Sequence, residues 1–345
     1  MEILPKNLGT RPRLAVEVRP EGLITARAED AEALLTALAE RSLPEGAITA
    51  GLKPGNIVDR SRMVAALREA LDAVAGRGGE RSRYVTLVIP DAATRVLLLE
   101  FDELPAKATE ALPIVRFRLK KLVPFDADHA AVSYQVMSSD HGVMRVLVVA
   151  MPGDVLQEYE SAVTAAGYTP GAVLPATLAA LAALEEQEAP ALVVNACRDG
   201  VTTAIVRGGT LLLHRVLELA GEHPDSVPSA MQHAATTQGG YERSEAEAAI
   251  ETQVLEAAEA HLTTREIAQA VSVAAAYFED TLSSAPGEVI SAGTIGAERL
   301  RAILEENGIT DLKVREMVST EGLAAGAATR ISRGWMAGVR GALRN

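Results

Sequence analysis

Three aliphatic runs and two short polar breaks occupy the stretch Ala191–Leu219. The runs are Ala-Leu-Val-Val-Asn-Ala-Cys, Val-Thr-Thr-Ala-Ile-Val and Leu-Leu-Leu-His-Arg-Val-Leu-Glu-Leu; Arg-Asp-Gly and Arg-Gly-Gly-Thr separate them. Asp199-Gly200 and Gly208-Gly209 are pairs suited to type I′ hairpins, because positive φ is cheap only for Gly, Asn and Asp. The first run has too few polar positions for a strand with one wet face, so it predicts an interior strand covered on both sides. A three-strand meander therefore opens the second half of the chain.

Elsewhere the periodicity switches between two and 3.6. Arg13–Arg19 and Gly22–Arg27 alternate around Pro20-Glu21-Gly22, predicting a hairpin. Asp30–Arg41 reads as a helix with Leu34, Leu35 and Leu38 on one face. Asp59–Ala75 reads as a second helix, striped by Met63, Leu67, Leu71 and Val74 and ended by Gly76–Gly79. Tyr84–Pro90 and Thr94–Phe101 are strands around a Pro-Asp turn. Leu104–Leu122 is a helix that turns Leu112, Val115, Leu119 and Leu122 inward and Arg116, Arg118, Lys120 and Lys121 mostly outward, with Pro124 as its stop. Val132–Ser138 and Val143–Ala150 form a hairpin over Asp140-His141-Gly142. Helices Gly153–Gly167 and Pro175–Glu186 follow.

After the meander, Gly221–Gly240 reads as a loop and Ser244–Ala260 as an acidic, alanine-rich helix. Thr263–Leu282 is a further helix, capped by Thr263, with Ile267, Val271, Ala274, Phe278 and Leu282 at helical spacing. A strand, Glu288–Ala292, runs into Gly293-Thr294-Ile295-Gly296. Then come a helix at Ala297–Asn307 capped by Gly308, a strand at Leu312–Arg315, and helices at Ser319–Ala328 and Ile331–Leu343. The two halves share a plan of meander, helix, further strand and helix, which is an α/β class. Leu104–Ala150 is a helix-plus-hairpin unit inserted in the first half. The organisation expected is a tail at 1–11, a first domain at 12–190 with its insert at 104–150, and a second domain at 191–325 with a helical and loop part at 221–285. A helix within 326–345 ends the chain.

The 345 residues, 48% of them hydrophobic and 23% charged, suffice for two cored domains. A net charge of −13 argues against nucleic acid as a partner. The single cysteine, Cys197, lies in an apolar strand and reads as a small buried hydrophobe; it excludes an intramolecular disulfide, in keeping with the cytosol. No apolar run reaches the roughly 18–20 residues that span a bilayer, and no signal-peptide pattern opens the chain. Histidines 129, 141, 214, 223, 233 and 261 lack metal-ligand spacing, so no metal site is expected. There is no nucleophile elbow and no Walker loop. Arg116–Lys121 reads either as a solvated helix face or as a surface for an anionic membrane or acidic partner. Around Arg330–Arg344, Ile331, Trp335, Val339 and Leu343 recur every four residues among arginines, which fits either a lipid-facing amphipathic helix or a core helix.

Within the two-half plan, Ile89-Pro90-Asp91, Arg95–Phe101, Leu104-Pro105, Leu122-Val123-Pro124-Phe125 and Val132-Ser133-Tyr134-Gln135-Val136 together form a pattern. It resembles the PilM family of type IV pilus assembly proteins, and more distantly the cytoplasmic part of the type II secretion protein GspL. The resemblance implies an actin-like, ribonuclease H-like two-domain fold with an inserted α/β subdomain and with the C-terminal helix, within 326–345, packed back on the first domain. It also implies a nucleotide cleft and a groove for the cytoplasmic N-terminal peptide of PilN, a bitopic membrane protein. Carried over residue by residue, it puts the remnant of an ATP or ADP site with Mg²⁺ at Glu17, Asn195, Thr202, Thr203, Gly293 and Thr294. Each element departs from the family pattern: Glu17 replaces an Asp, Arg19-Pro20-Glu21 replaces small residues, Asn195-Ala196-Cys197 replaces Asp-Ile-Gly, and glycines are lost around Gly293. Pro20 lacks a donor, Glu21 repels phosphate, and neutral Asn195 is a weak metal ligand.

The expectation is a cytoplasmic scaffold peripheral to the inner membrane, touching lipid peripherally or indirectly, and not an enzyme. Its partners would be a PilN-like protein and other pilus platform or motor proteins, with self-association left open. The partner-binding residues implied are Arg95, Leu97, Leu99, Arg116, Pro124 and Phe125. The alternative is an ATPase or kinase-like enzyme of the same superfold. The tail Met1–Asn7 loosely resembles the Leu-Pro-containing peptide of PilN, which suggests a segment able to occupy a groove.

Overall fold

The computed structural model describes residues 11–76, 83–140, 142–184, 189–219, 245–323 and 331–344. The first half runs β1 (Leu14–Arg19), β2 (Gly22–Ala28), β3 (Leu35–Ser42), α1 (Arg60–Val74), β4 (Tyr84–Ile89), β5 (Arg95–Phe101), α2 (Ala108–Leu119), β6 (Ala131–Asp140), β7 (Val143–Met151), α3 (Gly153–Ala165), β8 (Thr169–Pro175) and α4 (Ala176–Ala182). The second runs β9 (Ala191–Cys197), β10 (Gly200–Arg207), β11 (Thr210–Glu218), α5 (Glu245–Leu282), β12 (Glu288–Gly293), α6 (Ala297–Glu306), β13 (Lys313–Glu316) and α7 (Met336–Leu343).

Two five-stranded sheets have orders β3-β2-β1-β4-β8 and β11-β10-β9-β12-β13. They are the same sheet twice: an antiparallel meander whose first strand pairs in parallel with a fourth, and that with a fifth. β9 is central and covered on both faces. Leu192, Val194 and Ala196 enter a core with Ile267, Val271 and Phe278 of α5, while Ala191 and Val193 enter a second core with α4 and α7. Its lack of polar alternation follows from serving two cores.

The inserted unit is a third sheet, ordered β5-β7-β6, with α2 on one face. Its first strand is Arg95–Phe101, so the unit begins earlier than the sequence boundary at 104. The α2 helix stops at Leu119, well before Pro124, and Leu122 is 47% exposed instead of inward-facing.

Other expectations are corrected. Asp30–Arg41 is not a helix: β3 pairs with β2, and a bulge there sets Leu38 opposite Ala26 and Leu35 opposite Ala28. The extra residue brings two leucines three positions apart onto one face, which imitates helical spacing. β8 was hidden by its two prolines and glycine, which an edge strand tolerates. The two helices expected on either side of 262 are one helix of 38 residues, so Thr263 is interior and caps nothing. The loop at Gly221–Gly240 lies outside the described residues, as does the tail Met1–Asn7. Ser319–Ala328 holds only a single 3-10 turn, Thr320–Gly322, before the undescribed residues 324–330. Only the second hairpin of the meander has two positive-φ residues, Gly208 and Gly209; the first turns on Arg198 and Asp199, and Gly200 already pairs with Cys197.

Within Ile331–Leu343 the helix starts at Met336, and all of it except Arg340 is buried. A Cβ at Gly341 would collide with the carbonyl oxygen of Ala179 on α4, and one at Gly338 with the Glu17 carboxylate. These glycines let α7 lie against α4 and β1 at backbone distance. The lipid-facing reading of this helix is therefore overturned by its burial.

Candidate functional site

The first residues on the cleft side come from β1. Period two puts Val16 and Val18 into the core under α1 and α3, and sends Glu17 and Arg19 together to the other face. That face is dry: Glu17 is 0% and Arg19 4% exposed. Opposite stand Asn195 on β9 and Thr202 on β10, with Asp91 in the turn after β4 and Thr177 opening α4, all buried.

These groups form one continuous chain across the two halves. Arg19 Nε donates to Glu17 Oε1 at 2.5 Å, and Arg19 Nη2 donates to Asn195 Oδ1 at 2.9 Å. Asn195 Nδ2 donates to Thr177 Oγ1 at 2.8 Å, and that hydroxyl donates to Asp91 Oδ2 at 2.5 Å. Asp91 also accepts from the Thr177 N–H at 3.0 Å and from the Thr202 hydroxyl at 2.9 Å. Asn195 thus has an acceptor facing a guanidinium and a donor facing a hydroxyl, so only one orientation of its amide satisfies both.

A second cluster links the β1–β2 turn to the second half. Glu21 Oε1 accepts from the Arg198 N–H at 2.7 Å and from the Thr294 hydroxyl at 2.6 Å. Gly293, at φ +92°, ends β12, where a Cβ would run into the Ala196 carbonyl and Asn195 Oδ1; its role is close approach, and its N–H donates to the Gly334 carbonyl at 3.0 Å. Thr203 points to the opposite face of β10 from Thr202, the face of its partner Val194, which belongs to the core beneath α5. Of the six residues implied for nucleotide, Glu17, Asn195 and Thr202 therefore meet in one network, Thr294 joins the other, Gly293 adjoins Asn195, and Thr203 stands apart.

Burial sets the electrostatics. Desolvation pushes the Glu17 carboxyl up to about 7, partly offset by Arg19, and its second oxygen is buried with no partner among the described residues. Burial alone would lower Arg19, but the Glu17 charge, joined by Cys197, Glu21 and Asp91, more than offsets it and the guanidinium stays charged. The Cys197 thiol, pushed up to about 12 by burial and then by Glu21, is inert at neutral pH. Burial holds His214 below the usual histidine range, with the Asp91 charge pulling the other way.

This donor set does not fit a magnesium nucleotide. A divalent ion beside Asn195 would meet the Arg19 guanidinium, which already holds the amide oxygen. The Thr202 hydroxyl is given to Asp91. The Arg198 N–H and Thr294 hydroxyl, donors that a phosphate would take, are held by the Glu21 carboxylate. Among the described residues no cluster of His, Cys, Asp and Glu is arranged to hold a metal.

The residues expected at a partner groove do not gather on one surface. Leu97, Leu99 and Phe125 pack inside the inserted unit with Val115, Leu119 and Val146. Arg116 donates to the Ala127 and Ala130 carbonyls at 2.5 and 2.9 Å and so ties down the loop after α2. Arg95 donates to the Thr94 carbonyl at 3.0 Å, and Pro124 is exposed. The outer side of α2 carries a shallow cavity of about 340 Å³ lined by Leu112, Pro113, Arg116, Phe117 and Lys120, with Phe117 69% exposed, so Arg116 is the one expected partner residue that lines it.

Sequence reasoning treated Arg19 and Glu21 only as losses from a phosphate turn and assigned no site role to Asp91 or Thr177. The available signal was Glu17-Val18-Arg19: opposite charges two apart on a strand share a face and reach one another.

Two sheets of identical order facing a shared cleft, with a third unit inserted in the first half, define the actin-like fold. Among solved structures, the PilM-PilN type IV pilus biogenesis complex is similar over 96% of this chain and 97% of that chain, with a TM-score of 0.69 and 18% identity. The cytoplasmic domain of EpsL, an inner membrane component of the type II secretion system of Vibrio cholerae, gives a TM-score of 0.39 at 15% identity over 60% of this chain and 71% of its own. The ethanolamine utilization protein EutJ from Carboxydothermus hydrogenoformans gives 0.47 at 12% over 100% and 92%. No family model and no curated protein matches the sequence.

Proposed function

We propose that this chain is an actin-like scaffold of a type IV pilus inner-membrane platform that docks the cytoplasmic N-terminal peptide of a PilN-like bitopic membrane protein and does not turn over nucleotide. The observation that carries the non-catalytic part is the filled cleft: groups that would hold metal and phosphate are bonded to Arg19, Asp91 and Glu21. Phosphoryl transfer depends on a bound metal and preorganised phosphate donors, so an ATPase or kinase reading lacks both. The pilus part rests on likeness to the PilM-PilN complex over nearly the whole chain. No helix among the described residues is long and apolar enough to cross a membrane; in this reading the bitopic partner ties the chain to the platform. An extended peptide gains backbone hydrogen bonds along an exposed sheet edge, and β5, an outer strand of the inserted sheet, is where such docking is proposed.

Calorimetry tests both parts. Titration with the cytoplasmic N-terminal peptide of a PilN-like protein from the same organism should show saturable binding, and titration with MgATP or MgADP should show none. Micromolar nucleotide binding accompanied by phosphate release would replace the scaffold reading with the enzymatic one. No heat with the peptide, and no capture of the intact membrane protein, would remove the PilN-like partner.

A further inference from the structure

We infer that Arg19 and Glu21 act as a built-in cation and a built-in anion that latch the two halves of the molecule closed without any ligand. The inference rests on the non-catalytic reading above and goes beyond it, since a cleft can lack nucleotide and still hinge freely.

Every link in the cleft joins a residue before 190 to one after it, or supports one that does. Arg19 reaches Asn195, Thr177 accepts from Asn195, Asp91 accepts from Thr202, and Glu21 accepts from both Arg198 and Thr294. The latch has a charged core. Arg19 is 4% exposed and Glu17 0%, so in the closed arrangement neither exchanges its partner for bulk water. Separating the halves would strip Arg19 Nη2 of its acceptor and leave Asp91 with only the Thr177 contacts. Until water reaches them, the separated groups are buried charges that have lost a partner, which costs more than the pair contributed and opposes opening. At the mouth, Glu21 takes an N–H from the β9–β10 turn and a hydroxyl from the β12–α6 turn, gathering the two loops that a bound anion would gather. The α7 helix belongs to the same joint: Gly338 lies against the Glu17 carboxylate, and Gly293 donates to Gly334 just before the helix.

Full-length protein and two variants test the latch. In Arg19→Ala the amides of β9 and of the β12–α6 turn should exchange faster, and the melting temperature should fall. Low-millimolar guanidinium, far below denaturing concentration, should restore both saturably by filling the space of the lost side chain, whereas equal sodium should not. In Glu21→Ala, which lies at the mouth and leaves the buried ion pair intact, the Arg198 amide should exchange about tenfold faster, the change expected when one hydrogen bond to a charged group is lost. Amides in the inserted unit serve as the internal reference and should not change. If Glu21→Ala leaves Arg198 exchange unaltered, or if guanidinium and sodium act alike on Arg19→Ala, the latch is wrong while the scaffold reading stands. Protection of the wild-type cleft by MgATP would overturn both.

Discussion

Glu17 sits where a buried acid meets a buried cation, and the balance between them is readable as pH dependence. Its folded carboxyl is raised to about 7 from an ordinary 4.5, burial being the larger cause and Arg19 the opposing one. A raised acid favours the protonated fold, so its contribution is complete below pH 4.5 and disappears as pH climbs through 7. The full effect is on the order of 3 kcal/mol, since one pKa unit corresponds to about 1.4 kcal/mol. Glu17→Gln keeps an oxygen for Arg19 but cannot ionise, so it should match wild type near pH 5 and gain relative stability by pH 8. The charges of Asp91 and Glu21 reinforce the shift, and His214 titrates in both proteins, so it cancels in the difference. Urea unfolding of both proteins at several pH values measures it; parallel curves would show that Glu17 ionises freely in the fold. The alternation Val16-Glu17-Val18-Arg19 was legible as a strand, but a polar face turned toward a dry cleft looks, in sequence, the same as one turned toward water.

At the level of elements, strongly periodic segments were legible and segments shaped by their neighbours were not. The stripe of α1 and the runs of β9 and β10 follow their own residues into place. β3 is a strand because β2 offers it a ladder, and its bulge disguises the period. β5 fell outside the insert expected at 104–150 and is instead its outer strand, with Leu97 and Leu99 turned to α2 and Leu98 turned away. That geometry separates two neighbouring substitutions. Leu99→Ala, at an 8% exposed position, should cost about 2–4 kcal/mol within the inserted unit. Leu98→Lys, at 38% exposure, should leave the fold almost unchanged. Hydrogen exchange resolved by segment should show Leu99→Ala loosening β5, β6 and β7 while β1 and β9 keep their protection. If the peptide docks along β5, Leu98→Lys should weaken docking in a folded protein, whereas Leu99→Ala weakens it only by loosening the strand. Equal losses of stability in the two variants would contradict this assignment of faces.

Across the whole molecule, the doubled plan was visible because the same order of hydrophobic runs occurs twice, but the joint between the copies was not. The joint is made by pairs far apart in sequence, such as Arg19 with Asn195 and Asp91 with Thr202, and by α7 returning from the end of the chain to cover the first sheet. The arginines around α7 invite a lipid-facing reading, yet Met336, Val339 and Leu343 are at most 2% exposed in a core shared with β2, α4 and β9. Arg344 donates to the Leu184 carbonyl at 3.0 Å, and Arg11 donates to the Gly341 carbonyl at 3.1 Å, so these charges serve as fasteners. Gly341 is the tightest point, because any side chain there meets the Ala179 carbonyl and the Ala183 nitrogen. Gly341→Ala should therefore destabilise by about 1–3 kcal/mol or more through overpacking. The loss should appear in both halves together, because α7 packs into the core that joins them. If α7 were a lipid anchor, Gly341→Ala would spare stability and wild type would float with anionic vesicles through residues 331–344. A seam helix predicts the reverse: a lower melting temperature, faster exchange at β1 and β9 alike, and flotation of wild type no greater with anionic than with neutral vesicles.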